Sequence, residues 1–217
     1  MNMPVGEQEL REFMRGYLGA RSAAGESKLF EELGIERGSA RVDLALVGKL
    51  LEAFELKSDA DDFGRMHNQI HAYNRVFDQI TLVTGPAMCG AAMSIVPSWW
   101  GVWTVRRGTA GQLILKKIRA ARPNPAQEPQ SLADLLWRDE AAQILVEAAC
   151  GPLSKRATRS DLCASLLRHV DVPTLKRHVA QRLVARRPAL KAEPLPSGQD
   201  GDSLHRDASY SDFHFLA

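Results

Sequence analysis

Residues 41–62 read RVDLALVGKLLEAFELKSDADD, and they contain the clearest secondary-structure pattern of the chain. In RVDLALV the apolar residues at 42, 44 and 46 alternate with Asp43, Ala45 and Val47. A second apolar run, LLEAFELK, follows Gly48 and Lys49. Two such runs separated by a glycine-containing turn are typical of a β-hairpin. The sequence therefore predicts two paired strands over residues 41–57.

Three charged residues of this hairpin are candidates for a site. Glu55 and Lys57 are two apart on one strand, so they share a face. A two-residue turn puts Asp43 opposite Phe54 with its carboxylate on the other face, whereas a three-residue connection, 48–50, puts it opposite Glu55. Two opposed carboxylates repel by up to about 1 kcal/mol, and a divalent cation between them removes that cost. Hard oxygen ligands favour Mg²⁺ or Mn²⁺, although the same three charges also occur by chance on solvated hairpins.

The segments around the hairpin alternate between helix and strand patterns. Helices are predicted at about 6–18, 62–76 and 87–95, strands at 79–84, 100–105 and 113–118, a short element at 29–33, and a loop at 19–26. This order indicates an α/β or α+β sheet covered by helices.

Beyond residue 122 the sequence predicts an all-α, basic C-terminal region. Helices are expected at 132–149 (capped by Ser131), at about 160–169 (begun by Ser160) and at 174–187. The last two fit either a helix-turn-helix or a plain helical hairpin docked on the sheet. The predicted organisation is a helix and loop at 1–26, a core at 27–122, a linker at 123–130, the helical region at 131–187 and a disordered tail at 188–217.

The overall composition is that of an ordinary globular protein. The chain has 217 residues, 45% of them hydrophobic, and a formal net charge of +2, which excludes a fully disordered chain, collagen and a coiled-coil rod. Three cysteines are too few for a disulfide framework, and MNMPVGEQEL lacks the pattern of a secretory signal. A cytoplasmic location is therefore predicted.

The uncharged stretch 79–105 is long enough to span a bilayer. Gly85, Pro86, Pro97 and Gly101 divide it into pieces of strand and helix length, which favours a buried core. No membrane partner is therefore expected.

Charge is segregated along the chain behind the small net value. Residues 1–62 carry 13 acids and 8 bases, residues 106–122 carry six bases and no acid, and residues 151–191 carry ten bases and two acids. Basic stretches of this kind are either solvated faces or phosphate-binding surfaces. The second interpretation predicts DNA as a partner and these contacts with it: Arg106, Arg107, Lys116, Lys117, Lys176, Arg177, Arg182 and Arg186.

The spacing of the hairpin charges resembles that of a known nuclease group. Asp43, followed after eleven intervening residues by Glu55-Leu56-Lys57, is similar to the signature of the PD-(D/E)XK nuclease superfamily, whose fold is restriction-endonuclease-like. Val42 stands where the superfamily's name has proline. The phrases ELGIERGSARVDLALV and FELKSDADDFGRMHNQIHAYNRVFDQITLV look like a bacterial, prophage-associated branch of that superfamily.

Two further features extend the resemblance over roughly residues 27–105. Gln69 and Tyr73 are four apart on a predicted helix, similar to the QxxxY feature of RecB-like nucleases, which supports the site and contacts DNA. Glu31 or Glu32 precedes the hairpin where such nucleases often place another acidic ligand, and Glu32 is the better match.

The resemblance implies a fold of the α/β class, with a central mixed sheet flanked by helices, together with a reaction and a role for each residue. The reaction is Mg²⁺- or Mn²⁺-dependent hydrolysis of DNA phosphodiester bonds, in phage-related, repair or defence processes. Asp43 and Glu55 would hold the metal with help from Glu32, the Leu56 carbonyl would complete the coordination, and Lys57 would act on the attacking water.

Other functions remain open at this point. A non-catalytic nucleic-acid-binding or phage-accessory protein can use the same fold, and the basic helices could instead bind an acidic protein partner. A homodimer is also possible. His67 and His71 share a helix face, but no third ligand near them indicates zinc.

Overall fold

A six-stranded mixed sheet forms the centre of the computed structural model, which describes residues 4–25, 27–151, 154 and 156–186. The strands are β1 (Lys28–Ile35), β2 (Ala40–Val47), β3 (Leu51–Lys57), β4 (Gln79–Thr84), β5 (Gly101–Arg107) and β6 (Leu113–Arg119). They lie in chain order across the sheet, with β3, β4 and β5 parallel and the other neighbours antiparallel. The predicted α/β class with a central mixed sheet is confirmed.

The β2–β3 hairpin has the three-residue connection that places the charged residues together. Leu44 pairs with Phe54, and residues 48–50 join the strands. The N–H of the first connecting residue donates to the carbonyl of the third at 3.0 Å, which closes the turn. The next pair in this register is Asp43 with Glu55, as the longer turn predicted.

Helices cover both faces of the sheet. Those in the described residues are α1 (Glu7–Ala23), α2 (Met66–Asn74), α3 (Cys89–Ile95), α4 (Pro129–Ala133), α5 (Arg138–Glu147), α6 (Arg159–His169) and α7 (Val172–Ala185). Helix α1 packs on one face, where Leu10 and Met14 lie in one core with Phe54 and Trp103 of the sheet. Helices α2 to α7 share a second core with the opposite face. The predicted flanking helices are therefore confirmed.

Two N-terminal segments differ from the predicted elements. The short element expected at 29–33 is an eight-residue strand, β1, whose partly exposed pattern reflects its position at the edge of the sheet. Helix α1 continues to Ala23 through residues expected to form a loop. Its last turn is tied to the sheet, because Arg21 Nη2 lies 2.9 Å from Glu52 Oε2.

The single helix predicted at 132–149 is wrong. Two helices, α4 and α5, occupy this region, and Ser131 is buried inside the first instead of capping the start of the predicted helix. The break lies at Trp137, whose N–H donates to Glu140 Oε2 at 2.7 Å and so begins a new helix. A local side-chain cap of this kind competes with continuation of the preceding helix.

Helix α6 packs against α5 and α4, and α7 packs against α4 and strand β2. Thr158, not the predicted Ser160, caps α6 and accepts a hydrogen bond from the N–H of Asp161. Helix α7 is capped by Asp171. It buries Leu175, Val179 and Leu183 in the core that it shares with the sheet. The helix-turn-helix and the docked hairpin therefore both stay predictions.

The predicted linker, residues 123–130, is held against the α2–β4 connection. Asn124 and Gln127 donate side-chain hydrogen bonds of 2.6 Å to three backbone carbonyls of residues 74–77. The described residues up to Arg186 accordingly form one compact unit. The tail predicted at 188–217 lies outside the described residues.

The uncharged stretch 79–105 forms β4, α3 and β5. Its strands are buried on both faces, with Leu82 and Val102 fully inaccessible, so the predicted buried core is confirmed. No helix among the described residues has the length and hydropathy needed to cross a membrane.

Candidate active site at the ends of β2 and β3

The charged residues of the hairpin meet in a cavity of about 890 Å³ where β2 begins and β3 ends. The β2–β3 ladder extends only to Leu44 and Phe54, one pair short of Asp43. Beyond that pair, the Leu56 N–H donates to the side chain of Asp43, with 2.8 Å between the nitrogen and Oδ2. The splayed strand ends therefore hold this carboxylate at a fixed position beside Glu55.

Glu55 is the most enclosed charged group of the cavity, with 2% of its surface exposed. Its Oε1 accepts hydrogen bonds from Lys57 Nζ at 3.0 Å and from Gln69 Nε2 at 2.5 Å. Its Oε2 lies 2.7 Å from the hydroxyl of Tyr73. The structure thus brings together, around one carboxylate, three of the residues that the sequence singled out.

Burial raises the pKa of Glu55 above its ordinary value, and the nearby charge of Asp43 raises it further. Burial and the charge of Glu55 raise the pKa of the Tyr73 phenol as well. The phenol oxygen also lies 2.7 Å from the backbone carbonyl of Arg41, which can only accept. Since a phenol has one hydrogen, both contacts are hydrogen bonds when Glu55 is protonated on Oε2 and Tyr73 donates to the carbonyl.

Arg11 of α1 joins the other two predicted carboxylates. Its Nη2 lies 2.9 Å from Asp43 Oδ1, and its Nη1 lies 2.7 Å from Glu32 Oε1. Arg41 Nε binds the second oxygen of Glu32 at 2.5 Å. Burial acts to lower the pKa of Arg11, but the two ion pairs outweigh it and leave this pKa raised. Glu32 therefore reaches the site through a guanidinium, whereas Glu31 lies near Arg15 instead.

Asp43 and Glu55 supply the hard oxygens expected around Mg²⁺, which commonly binds one or two carboxylates and keeps several waters. Each of their four carboxylate oxygens already has a hydrogen-bond partner: Arg11, the Leu56 N–H, Lys57 with Gln69, or Tyr73. No group of three or more His, Cys, Asp or Glu side chains suited to a metal ion occurs among the described residues. The donor chemistry fits a hydrated divalent cation that displaces some of these donors.

The sequence singled out the charged hairpin residues and Gln69 of this cavity but missed its arginines. Arg11 lies 32 residues before Asp43, on helix α1, which packs on the face of the sheet opposite α2. No sequence motif identifies it. His67 and His71 line the cavity mouth with their ring centroids 4.8 Å apart. Arg65, which also lines the mouth, was not predicted.

The comparisons with known proteins point to a phage family. The sequence profile described as Bacteriophage P4 protein cII matches residues 6–190, which include the whole cavity and α7. The chain belongs to this family. Protein cII of Enterobacteria phage P4 is 29% identical to it over 96 residues, which are 44% of this chain and 36% of that protein. The matched segment thus spans about a third of the length of that relative, and the predicted phage association is confirmed at the level of the family.

A solved protein of unknown function from Silicibacter pomeroyi is similar to this cII-family chain at 18% identity, over 66% of this chain and 94% of that one, with a TM-score of 0.39.

The basic residues predicted to bind DNA lie outside the cavity of this cII-family chain, and several are paired with acids. Arg107 lies 2.6 Å from Glu9, and Lys117 lies over the ring of Trp103 with its Nζ 4.7 Å from the centroid. Arg106 and Lys116, which are exposed on β5 and β6, have no salt bridge within the part of the chain that the structure describes. The β5–β6 pair therefore offers fewer free cations than the sequence suggests.

The same holds for α7, which packs against acidic residues of other elements. Lys176 is paired with Asp78, Arg182 lies 2.5 Å from Glu147, and Arg186 lies 2.6 Å from Glu140. Arg186 also lies 4.2 Å from the ring centroid of Trp137. Arg177 is the exposed cation of this group and lies on the side of α7 that faces solvent.

Proposed function

We propose that the chain is a metal-dependent nuclease with a PD-(D/E)XK-like site on a restriction-endonuclease-like sheet. The observation that supports this is the clustering, at one end of a strand pair, of Asp43, the buried Glu55–Lys57 pair and the side chains of Gln69 and Tyr73. These residues come from two strands and a helix, and chance charges on a solvated hairpin would not be buried together.

A purely structural ion pair is the simplest competing explanation for Glu55 and Lys57. Burying both charges has a desolvation cost that their attraction often fails to recover. Apolar residues would fill the same position without that cost, yet this pair borders an open cavity of about 890 Å³. A functional role explains why the charges are kept at the cavity wall.

In the proposed reaction each residue has a defined task. Asp43 and Glu55 would hold a divalent cation, which supplies charge neutralisation on the phosphate and lowers the pKa of a bound water. Gln69 and Tyr73 fix the orientation of Glu55. Lys57, whose ammonium is restrained beside Glu55, orients the attacking water and offsets negative charge that develops on the phosphate.

The decisive experiment incubates supercoiled and linear DNA with the full chain and Mg²⁺. Wild type should degrade the DNA, EDTA should stop the reaction, and Asp43→Asn should remove the activity while circular dichroism shows a folded protein. Asp62→Asn is the matched control, since within the described residues its exposed carboxylate accepts a hydrogen bond only from the local Gly64 N–H. Nuclease activity in a folded Asp43→Asn protein contradicts the proposal.

A non-catalytic nucleic-acid-binding role is the second candidate. The contact of Arg11 with Asp43 favours it, because a guanidinium on this carboxylate competes with a metal ion. This alternative predicts a salt-sensitive gel shift without products in the same assay. The proposed homodimer is tested separately by light scattering.

A further inference from the structure

Arg11 lies beside the carboxylates of the cavity, although it belongs to a helix on the other face of the sheet. It belongs to α1, on the face of the sheet opposite α2, and its side chain is only 26% exposed. Two nitrogens of its guanidinium bind two different carboxylates, Asp43 at 2.9 Å and Glu32 at 2.7 Å. A bridging contact of this kind neutralises a pair of acids that would otherwise repel each other.

The backbone of Glu32 has an unusual conformation at the position of this contact. Glu32 has a φ of 54°, in the left-handed region that non-glycine residues rarely adopt inside a strand. The β1–β2 ladder pairs Glu31 with Leu44 and Leu33 with Val42 but omits the pair between them. The local strain is offset by the two ion pairs of this carboxylate, with Arg11 and Arg41.

The oxygen that Arg11 holds is the one that a metal ion would need. Asp43 Oδ2 is fixed by the Leu56 N–H as part of the strand pairing, so Oδ1 is the oxygen that can change partner without opening the sheet. A guanidinium and a divalent cation on the same oxygen repel strongly, since both are positive and the site is partly shielded from water. Only one of them can bind there at a time.

We infer that Arg11 is the resident counter-ion of the acidic site and that it exchanges with the divalent cation. In the metal-free protein it neutralises Asp43 and Glu32, and metal binding displaces it into the cavity that its side chain already lines. Arg11 therefore sets the metal affinity of the site without being a ligand. This inference rests on the metal site of the proposed function.

The test measures Mn²⁺ binding to the full chain by the loss of the free-ion signal in electron paramagnetic resonance. Arg11→Gln should bind Mn²⁺ roughly 10- to 100-fold more tightly than wild type, the range typical of coupling between two competing ligands. Arg11→Lys, which keeps the charge but cannot bridge both acids, should show a smaller gain. Arg15→Gln is the control, because Arg15 lies one turn further along α1 at 3.9 Å from Glu31, and it should leave the affinity unchanged.

The possible results separate this inference from the proposed function. Tighter binding in Arg11→Gln that is lost in Arg11→Gln/Asp43→Asn supports the exchange, and it does so even if no DNA is cut, in which case the nuclease proposal fails alone. Equal or weaker binding in a folded Arg11→Gln protein overturns the exchange while the metal site stands. Absence of Mn²⁺ binding in wild type and in both Arg11 variants overturns both.

Discussion

Two cavities of similar size lie at opposite ends of the β2–β3 hairpin, and they are built differently. The Asp43 cavity, of about 890 Å³, is lined mostly by polar and charged side chains. The α7 groove, of about 820 Å³, lies at the hairpin turn and is lined largely by apolar side chains such as Leu51, Val172 and Ala180. The same two strands thus border a polar site at one end and an apolar one at the other.

The buried charged groups at the two ends of the hairpin differ in whether their hydrogen-bond and ion-pair partners are fixed. In the α7 groove, Asp78 binds Lys176 and accepts a hydrogen bond of 2.8 Å from the Leu51 N–H, so both oxygens have fixed structural partners. In the Asp43 cavity, one phenol hydrogen faces two acceptors and one guanidinium is shared by two acids. Alternative partners of this kind are a feature of sites that change protonation or ligand state, which supports the proposal that the Asp43 cavity is the functional one.

The largest expected effect is a loss of DNA hydrolysis on substitution in the Asp43 cavity but not at the α7 groove. Lys57→Met should lower DNA hydrolysis by about 10²- to 10⁴-fold if the chain is the proposed nuclease, because the ammonium proposed to act on the water and the phosphate is removed. Lys49→Met, at the rim of the α7 groove, is the matched control and should retain activity. Initial rates on labelled linear DNA measure both. Similar rates for the two variants would remove the functional distinction between the cavities.

A core substitution beneath the α7 groove should affect stability alone. Leu183 is fully buried, and Leu183→Ala should lower the free energy of unfolding by about 2–5 kcal/mol. Val184→Ala, at the 36% exposed neighbour, should change it by less than about 0.5 kcal/mol. Urea unfolding provides both values. A loss of Mn²⁺ affinity in folded Leu183→Ala would show that the two ends are coupled.

Tyr73→Phe tests the hydrogen-bond network of the Asp43 cavity. The change keeps the ring stacked on Trp100 but leaves the Arg41 carbonyl and Glu55 without the phenol, at a cost of about 1–3 kcal/mol. Tyr17→Phe is the control, since Tyr17 packs against Trp103 through its ring. Equal unfolding free energies for Tyr73→Phe and wild type would show that the phenol is not part of the network.

The raised pKa of Glu55 predicts a pH dependence of stability. Burial raises this pKa above 4.5, so above pH 4.5 the unfolded chain releases the proton before the folded one does. The contribution of Glu55 is therefore fully present below the unfolded pKa and is lost as pH rises through the folded pKa. The difference in unfolding free energy between wild type and Glu55→Gln should fall as pH rises over this range. A difference that stays constant or rises with pH contradicts the assignment, and Glu128→Gln serves as the exposed control.

The smallest effect concerns a predicted DNA contact at the edge of the α7 groove. Arg177→Gln should weaken DNA binding modestly and reduce the slope of log affinity against log salt by about one, as expected for the loss of one phosphate contact. Arg182→Gln should have less effect, because Arg182 lies 2.5 Å from Glu147. Fluorescence anisotropy at several salt concentrations measures the two slopes. Equal slopes in Arg177→Gln and wild type would remove α7 from the DNA-binding surface.

The part of the site that could be predicted from sequence depends on local spacing. The positions of Glu55 and Lys57 follow from strand alternation, and those of Gln69 and Tyr73 follow from the helical repeat. The placement of Asp43 needed one further datum, the turn length. The eight basic residues were less predictable, since charge counts along the chain cannot show that Glu140, Glu147 and Asp78 fold against α7.

The sequence alone predicts the hairpin and the set of side chains around Glu55, because strand alternation and helical spacing act over a few residues. The register of the hairpin depends on the turn length, which the structure supplies. The tertiary structure decided which charges are neutralised and which face the cavity. Arg11 reaches Asp43 from 32 positions away, and Lys176 reaches Asp78 from 98. Such pairs arise when separate elements pack on a common core, so the electrostatics of the site depend on contacts that no local pattern encodes.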